Sequence, residues 1–559
     1  MFSQHSASSK HESWQDIVAK KRLSCQQSIP TTWALPGSVL DSLPALSDFP
    51  STRLNLIAKD IPRLSGILTD RELEITECHT VASLLEGLAS GTFTSVEVTL
   101  AFSKRAAIAQ QLEGHEGGLI RTSTYANGAH QTNCLTETFF EQAEKRARYL
   151  DDLRSKGGSL GPLHGLPVSL KDTYQVEGTH ACIGAVAFLD RTSTENSALV
   201  DLLLDLGAVL YVKTNVSQVL MSIESDNNVF GRVLNPWNTS LTAGGSSGGE
   251  VALVAFRGSP LGVGTDLAGN LVDWSNLKSR DTHADDGPQD LRLPYGRQVM
   301  PLNVGIGAIV PSAGALANDM TTLQIFMQAV VDANPFAHNA TAIDVPWRRV
   351  TGPPRPKLRL GLLPEDPLFP LHPPVQEAIS NAIGGRLLAL DSTPASIVAS
   401  GGEPAVPSMS MFAEYASRIG WDFIPPEVDA TDGLGQFGAL QNQRADIAES
   451  WRKIWAKHDL DAAIAPSAQS TAMEHDQQGW PAYSMFLNML DYPACIIPFG
   501  KATGSEGLAA DLFQGSPAYR PEAAEGAPCS IQVFTNGMRD EECLAVAAVI
   551  DTCLKDASR

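Results

Sequence analysis

The residues best suited to chemistry lie between Thr242 and Asn270, in the run TAGGSSGGEVALVAFRGSPLGVGTDLAGN. Two glycine-rich turns, Gly244–Gly249 and Gly262–Gly269, bracket a short apolar stretch, Val251–Phe256. Glycine supplies positive φ and lets backbone come close to a ligand. One turn carries the tandem serines Ser246 and Ser247, the other Thr265-Asp266, and together they read as two walls of one pocket. The competing reading is a pair of surface turns flanking a buried helix. A further reactive group is Lys171, which ends the strand-like run GLPVSLK. A free lysine, with a pKa of about 10.4, is almost wholly protonated at neutral pH. Burial disfavours its charge and moves it toward use as a base. The plainer alternative is a lysine snorkelling from a strand end.

GGSSGGE followed by GSPLGVGTD, with GPLHG…SLKD upstream, resembles the amidase signature family, serine hydrolases of carboxamides. Gly479–Pro498 (GWPAYSMFLNMLDYPACIIP) is similar to its acetamidase-like branch. Amide hydrolysis needs an activated nucleophile, a proton donor for nitrogen and donors aimed at the oxyanion. The resemblance implies Lys171 as base and Ser246 as a cis-peptide serine relaying its proton. It maps the oxyanion cradle onto the backbone N–H groups of Leu267, Ala268, Gly269 and Asn270, with Ser247, Thr265 and Asp266 in support. Ala268 stands where many members have glycine. The family's second turn reads Gly-Thr-Asp-Ile-Gly-Gly-Ser-Ile-Arg, and its serine is acylated. Counting without a gap, Asn270 occupies that serine's position and Val272 the arginine's. An amide side chain is a very weak nucleophile with no ionisable proton to relay. Nearby Ser275 and Ser279 have nothing that fixes them against Lys171.

The family activity is hydrolysis of a small carboxamide to carboxylate and ammonia, without cofactor. Three readings of this chain follow: an amidase crippled at its nucleophile, a non-catalytic carboxamide-binding protein, or a repurposed enzyme of a secondary pathway. A small-molecule amide is the partner in each of the first two.

Around these residues, the segments that must position them alternate between helical and extended patterns. Residues 13–27 show helical periodicity, and Ser28–Pro50 reads as an extended strap. Helix starts follow Thr69 and Thr80, and Ser95 with Glu97 opens another helix through Ala109. Residues 112–130 have neither period and read as a loop, either a surface insertion or a translated intron. Strands are expected at Thr132–Glu137, Leu166–Leu170, Ala208–Lys213, Leu358–Leu362, Ala462–Ala465 and Ser530–Phe534. Helices are expected at Phe140–Leu153, Leu199–Leu206, Ala317–Ala333 (a surface helix), Leu440–Lys457 and Glu541–Leu554. Leu271–Leu291 is polar and aperiodic before RLPYG at Arg292–Gly296, and residues 386–412 read as irregular. The alternation argues for an α/β fold with a sheet covered on both faces. The resemblance narrows this to one large α/β/α unit with a mixed sheet. It divides the chain into an N-terminal helix and strap (1–68) and an amidase-like domain (69–559).

Charge and composition narrow the partners. The 41 basic and 62 acidic side chains leave a net charge of -21, which disfavours nucleic acid or an anionic membrane. No apolar run approaches the ~18 residues of a membrane span. The N-terminus has no apolar core of a secretory signal. The eight cysteines form no CxxC pair, so a reduced, cytoplasmic, soluble protein is expected. The 12 histidines include no HExxH, and no GxGxxG opens a helix after a strand, so neither metal nor cofactor is expected. Oligomeric state is open, and a homodimer is compatible with the sequence.

Overall fold

A computed structural model describes residues 13–43, 54–111, 132–266, 289–292, 312–339, 342, 345–350, 352–387, 395–398, 433–479, 481–503 and 517–556. The strands are β1 (Leu135–Thr138), β2 (Pro167–Lys171), β3 (Val209–Thr214), β4 (Leu261–Asp266), β5 (Gln289–Arg292) and β6 (Ser312–Ala317), then β7 (Leu358–Leu362), β8 (Ala395–Val398), β9 (Ala462–Pro466), β10 (Ala494–Lys501) and β11 (Pro528–Phe534). Among the described residues they form one 11-stranded sheet, ordered β1-β3-β2-β4-β6-β5-β10-β11-β9-β7-β8. The triplet β3-β2-β4 is parallel, and β9-β7-β8 is parallel. Antiparallel pairs join the two blocks through β6, β5, β10 and β11. The fold class is α/β with a mixed sheet flanked by helices.

Parallel strands covered by crossover helices lose both faces to the core, and their sequences run apolar without alternation. β2, β3 and β4 are buried along their whole length. The helices Phe140–Ser155, before β2, and Ala198–Asp205, between β2 and β3, start and stop close to the segments read from the sequence, whereas Gly248–Ala255, before β4, begins three residues ahead of the apolar run Val251–Phe256. A second apolar cluster fills the C-terminal half, where Trp451 stacks on Phe486 at 5.6 Å and meets Phe534 edge-on at 5.9 Å. Aromatic pairs in these two arrangements are favourable beyond their buried area.

Local helix signals read well. Thr69 and Thr94 each close a capping box, with Glu72 and Glu97 respectively, and Thr80 caps the helix Val81–Ser90. Ser95, read as the helix opener, is the first helical residue after its Thr94 cap. The strap is not wholly extended: Thr31–Trp33 and Gly37–Leu40 wind into short helical turns. Pro30 and Pro36 stand just before them, where a fixed φ suits a helix start. The helix Met320–Asp332 buries Leu323, Phe326 and Met327 on one face and exposes Thr321 and Gln324 on the other, the pattern of a surface helix. The other aperiodic segments also differ from their reading. Gln289–Arg292, at the end of the stretch read as patternless, is a strand between β6 and β10, and Ala395–Val398 is an edge strand. A main-chain ladder holds such four-residue strands, and period-two side chains are not required. Residues 112–130 and 271–288 lie outside the described residues.

The largest departure from the sequence pattern is at the second glycine-rich turn. Its first half, Gly262–Asp266, is part of β4 and pairs with β6 from Leu261↔Ala317 to Asp266↔Ser312. The first turn does turn, and it leads straight into the helix Gly248–Ala255. Gly249 lies where that helix crosses the end of β3. A Cβ there would stand 2.4 Å from Asn215 N, 2.5 Å from Asn215 O and 2.7 Å from Cys134 O. All three are backbone atoms that cannot rotate away. Gly249→Ala is therefore expected to cost about 3 kcal/mol or more of stability by overpacking, read from urea denaturation midpoints.

Candidate active site

Lys171 is the last residue of β2, and β3 and β4 lie parallel on either side of it. It is fully buried. Its Nζ lies 2.7 Å from Ser246 Oγ, 2.7 Å from Thr265 Oγ1 and 3.1 Å from Thr265 O. Ser246 arrives from the first glycine turn and Thr265 from β4, so three separate segments meet at one amino group. An ammonium has three protons, enough for all three oxygens. A neutral amine keeps two protons and accepts the third hydrogen bond from a hydroxyl. The geometry thus accommodates both protonation states.

Burial is the main influence on that lysine, and it pushes the pKa down from 10.5 to about 7. The nearby carboxyl of Asp266 opposes the shift most strongly. Neighbouring Lys213 is equally buried but lies one register position away, opposite Leu170. Its side chain therefore leaves the other face of the sheet. It meets Asp172 at 3.4 Å and donates to the His180 carbonyl. Asp172 also accepts from Thr136 Oγ1 at 2.8 Å and from Ile183 N at 2.7 Å, so this pair is a fully bonded structural unit.

The turn that delivers Ser246 is tightly held. The Gly245–Ser246 peptide bond is cis. A side chain at Gly245 would collide with Glu224 N and Ser222 O, both 2.6 Å from a Cβ there. Ser225 N donates to Gly244 O at 2.6 Å, and Gly248 N donates to Ser225 Oγ at 2.9 Å. Behind this, His475 Nδ1 lies 2.5 Å from Glu224 Oε1 and its Nε2 lies 3.1 Å from Thr239 O. His475 braces the serine turn from a segment far along the chain. Thr242 N completes the tie by donating to Met473 O at 2.8 Å.

Each described residue singled out in the sequence has a place here. Ser247 Oγ accepts from Thr265 N at 3.4 Å and faces Thr265 O at 3.3 Å. Asp266 is fully buried and accepts from Asn488 Nδ2 at 3.2 Å. Lys171, Ser246, Ser247, Thr265 and Asp266 therefore form one buried polar cluster. Leu267, Ala268, Gly269 and Asn270, read from the sequence as the cradle and the nucleophile position, lie outside the described residues. Reading the sequence missed Asn488, Ser169, Thr214 and Glu250. Glu250 did carry a signal, as a lone acid in the apolar helix EVALVA. Among the described residues no group of His, Cys, Asp and Glu could hold a metal ion, and no helix is long and apolar enough to cross a membrane.

Comparisons with known proteins agree with this architecture. The family profile described as Amidase matches residues 122–272, ending two residues beyond Asn270. An amidase of Gibberella moniliformis (strain M3125 / FGSC 7600) is 33% identical over 563 residues, covering 97% of this chain and 99% of the relative. An acetamidase of Emericella nidulans is 30% identical, covering 97% of this chain and 98% of the relative. In three dimensions the chain is similar to a fatty acid amide hydrolase, with a TM-score of 0.77 at 24% identity over 97% of this chain and 95% of the other. Identity sustained over nearly the full length of both sequences leaves one assignment: this chain belongs to the amidase signature family.

Proposed function

We propose that this chain keeps the proton-handling half of a carboxamide hydrolase, Lys171 and Ser246, and lacks the atom that attacks. The observation that carries the reading is the 2.7 Å contact between a fully buried lysine and Ser246 Oγ, in a chain whose nucleophile position reads asparagine. A desolvated amine beside a hydroxyl can take up and return a proton near neutral pH. In the parent reaction that proton comes, through Ser246, from the attacking serine, and goes on to the leaving ammonia. With Asn270 at that position no hydroxyl enters the relay, and hydrolysis is impaired. The backbone of Leu267, Ala268, Gly269 and Asn270 would form the oxyanion cradle, with Ser247, Thr265 and Asp266 supporting it. The buried polar wall of Ser247, Asp266 and Asn488 favours a second reading, a carboxamide-binding protein without turnover. A reduced cytoplasmic setting suits either.

Ammonia release from acetamide and longer aliphatic amides tests the first reading. The protein as it stands is expected to lie about a million-fold below an intact hydrolase, since loss of the nucleophile costs that much in another serine hydrolase. Asn270→Ser is expected to release ammonia above that background. Steady turnover, or a covalent acyl adduct trapped on the unaltered chain, would overturn it.

The lysine makes a separate prediction that needs no turnover. In the unfolded chain Lys171 stays protonated up to 10.5, in the folded protein only to about 7. Between those values the unfolded state binds the extra proton, so stability falls as pH drops through the window. Below about 7 the penalty is complete, and above 10.5 it vanishes. Lys171→Met removes it. The variant should gain most over the parent at neutral pH and lose that advantage toward pH 10.5, by urea denaturation at a series of pH values. A difference independent of pH across the window would mean that the folded lysine titrates normally.

A further inference from the structure

Glu250 sits in the first turn of the helix that follows the serine turn, and it is fully buried. Its carboxyl spans two strands. Oε1 lies 2.9 Å from Thr214 Oγ1 on β3, and Oε2 lies 2.6 Å from Ser169 Oγ on β2. Ser169 Oγ continues to Ser259 Oγ at 2.9 Å, and Ser259 Oγ reaches Leu261 O at 2.8 Å. β4 passes close by at Gly262, where a Cβ would lie 2.3 Å from Oε2.

Counting protons along this chain assigns the state of the carboxyl. Three oxygen-to-oxygen contacts run from Glu250 Oε2 to Leu261 O, and each hydrogen bond uses one proton. The two serine hydroxyls supply one apiece. The third can come only from the carboxyl itself. With Glu250 as the acid, it donates to Ser169, Ser169 donates to Ser259, and Ser259 donates to the Leu261 carbonyl. Thr214 donates to the remaining carboxyl oxygen. As a carboxylate, Glu250 would leave one close contact between lone pairs and a buried charge held by neutral hydroxyls, which is costly.

We propose that Glu250 is a positioning residue kept as the neutral acid, tying β2 to β3 beside Lys171 while withholding a second negative charge from that lysine. Ser169 and Lys171 share a face of β2, two residues apart, and Thr214 is the register partner of Lys171. The carboxyl therefore fixes the two strand positions that aim the amine. It does so without becoming a counter-ion, so Asp266 is left as the acid that opposes release of the lysine's proton. The other titratable groups around Glu250 are Cys134 and Tyr211. Burial pushes the Cys134 thiol up to about 12 and raises the Tyr211 phenol, so both stay neutral. Burial also moves the Glu250 carboxyl up to about 8, in accord with the proton count. The effect on Lys171 rests on the reading of that residue as the base, whereas the protonation state of Glu250 does not.

Infrared spectra of protein labelled with 13C at the glutamate carboxyls test this directly. A carboxylic-acid carbonyl band is expected at pH 6.5, fading as pH rises through about 8 and missing from Glu250→Gln. Absence of the band in the parent overturns the proposal. Should the glutamine variant not fold, Ser259→Ala serves instead. It frees Ser169 to donate its proton to the carboxylate, and should lower the pH at which the band fades by about one unit or more, and an unmoved band overturns the count. For the lysine, 15N NMR of Lys171 should show its midpoint in Glu250→Gln within about 0.3 unit of the parent. A fall of more than about one unit would mean that Glu250 had been a carboxylate. None of these measurements requires turnover, so they would still decide the state of Glu250 in a chain that proves fully active.

Discussion

Removal of the Lys171 amine from water is the constraint on which the rest of this protein depends. A lysine at the end of a parallel strand, walled by two more parallel strands and a crossover helix, is fully buried. Its stem cannot snorkel, so the charge must be met locally or given up. The fold meets it with neutral oxygens from Ser246 and Thr265, and the proton is held loosely in consequence. Those oxygens are correctly placed only because the serine turn and the end of β4 are each pinned from several sides.

Comparison with Lys213 shows how much one register step decides. Both lysines are buried, on paired strands, at adjacent levels. One faces a carboxylate already bonded to a backbone amide and a threonine, and acts as structure. The other faces hydroxyls and a carbonyl, with Asp266 close enough to oppose its loss of charge. The alternation of side chains across a pleated strand is enough to separate the two roles. Glu250 extends the same logic. A carboxyl ringed by hydroxyls in a proton-counted chain can bind two strands together without adding a charge to either.

The site is also a long-range construction. The serine turn is braced by Glu224, which in turn is held by His475 from a segment some 250 positions later. Asp266 is met by Asn488 on the helix Ala482–Leu490. Both ties come from the segment between β9 and β10. The two parallel blocks of the sheet are thereby coupled through the site as well as through their hydrogen-bonded edges.

Much of this was legible in the sequence because it is local. The caps at Thr69 and Thr80, the apolar runs of β2 and β3, and the glycine-serine spacing of the site are all properties of short windows. Lys171, Ser246, Ser247, Thr265 and Asp266 could be named from the same short windows, and the structure brings them into one buried cluster. Tertiary structure alone decided what depends on pairing. Gly262–Asp266 looks like a loop by composition but is a strand, because β6 offers it a complete ladder and Glu250 needs the room that a missing side chain leaves. Gln289–Arg292 became a strand between partners supplied by distant segments, with no period of its own. The neutral state of Glu250, the brace of His475 and the contrast between two buried lysines could not be read from residue types. Each depends on which atoms the sheet brings within hydrogen-bonding distance, and desolvation is a property of that assembled surrounding.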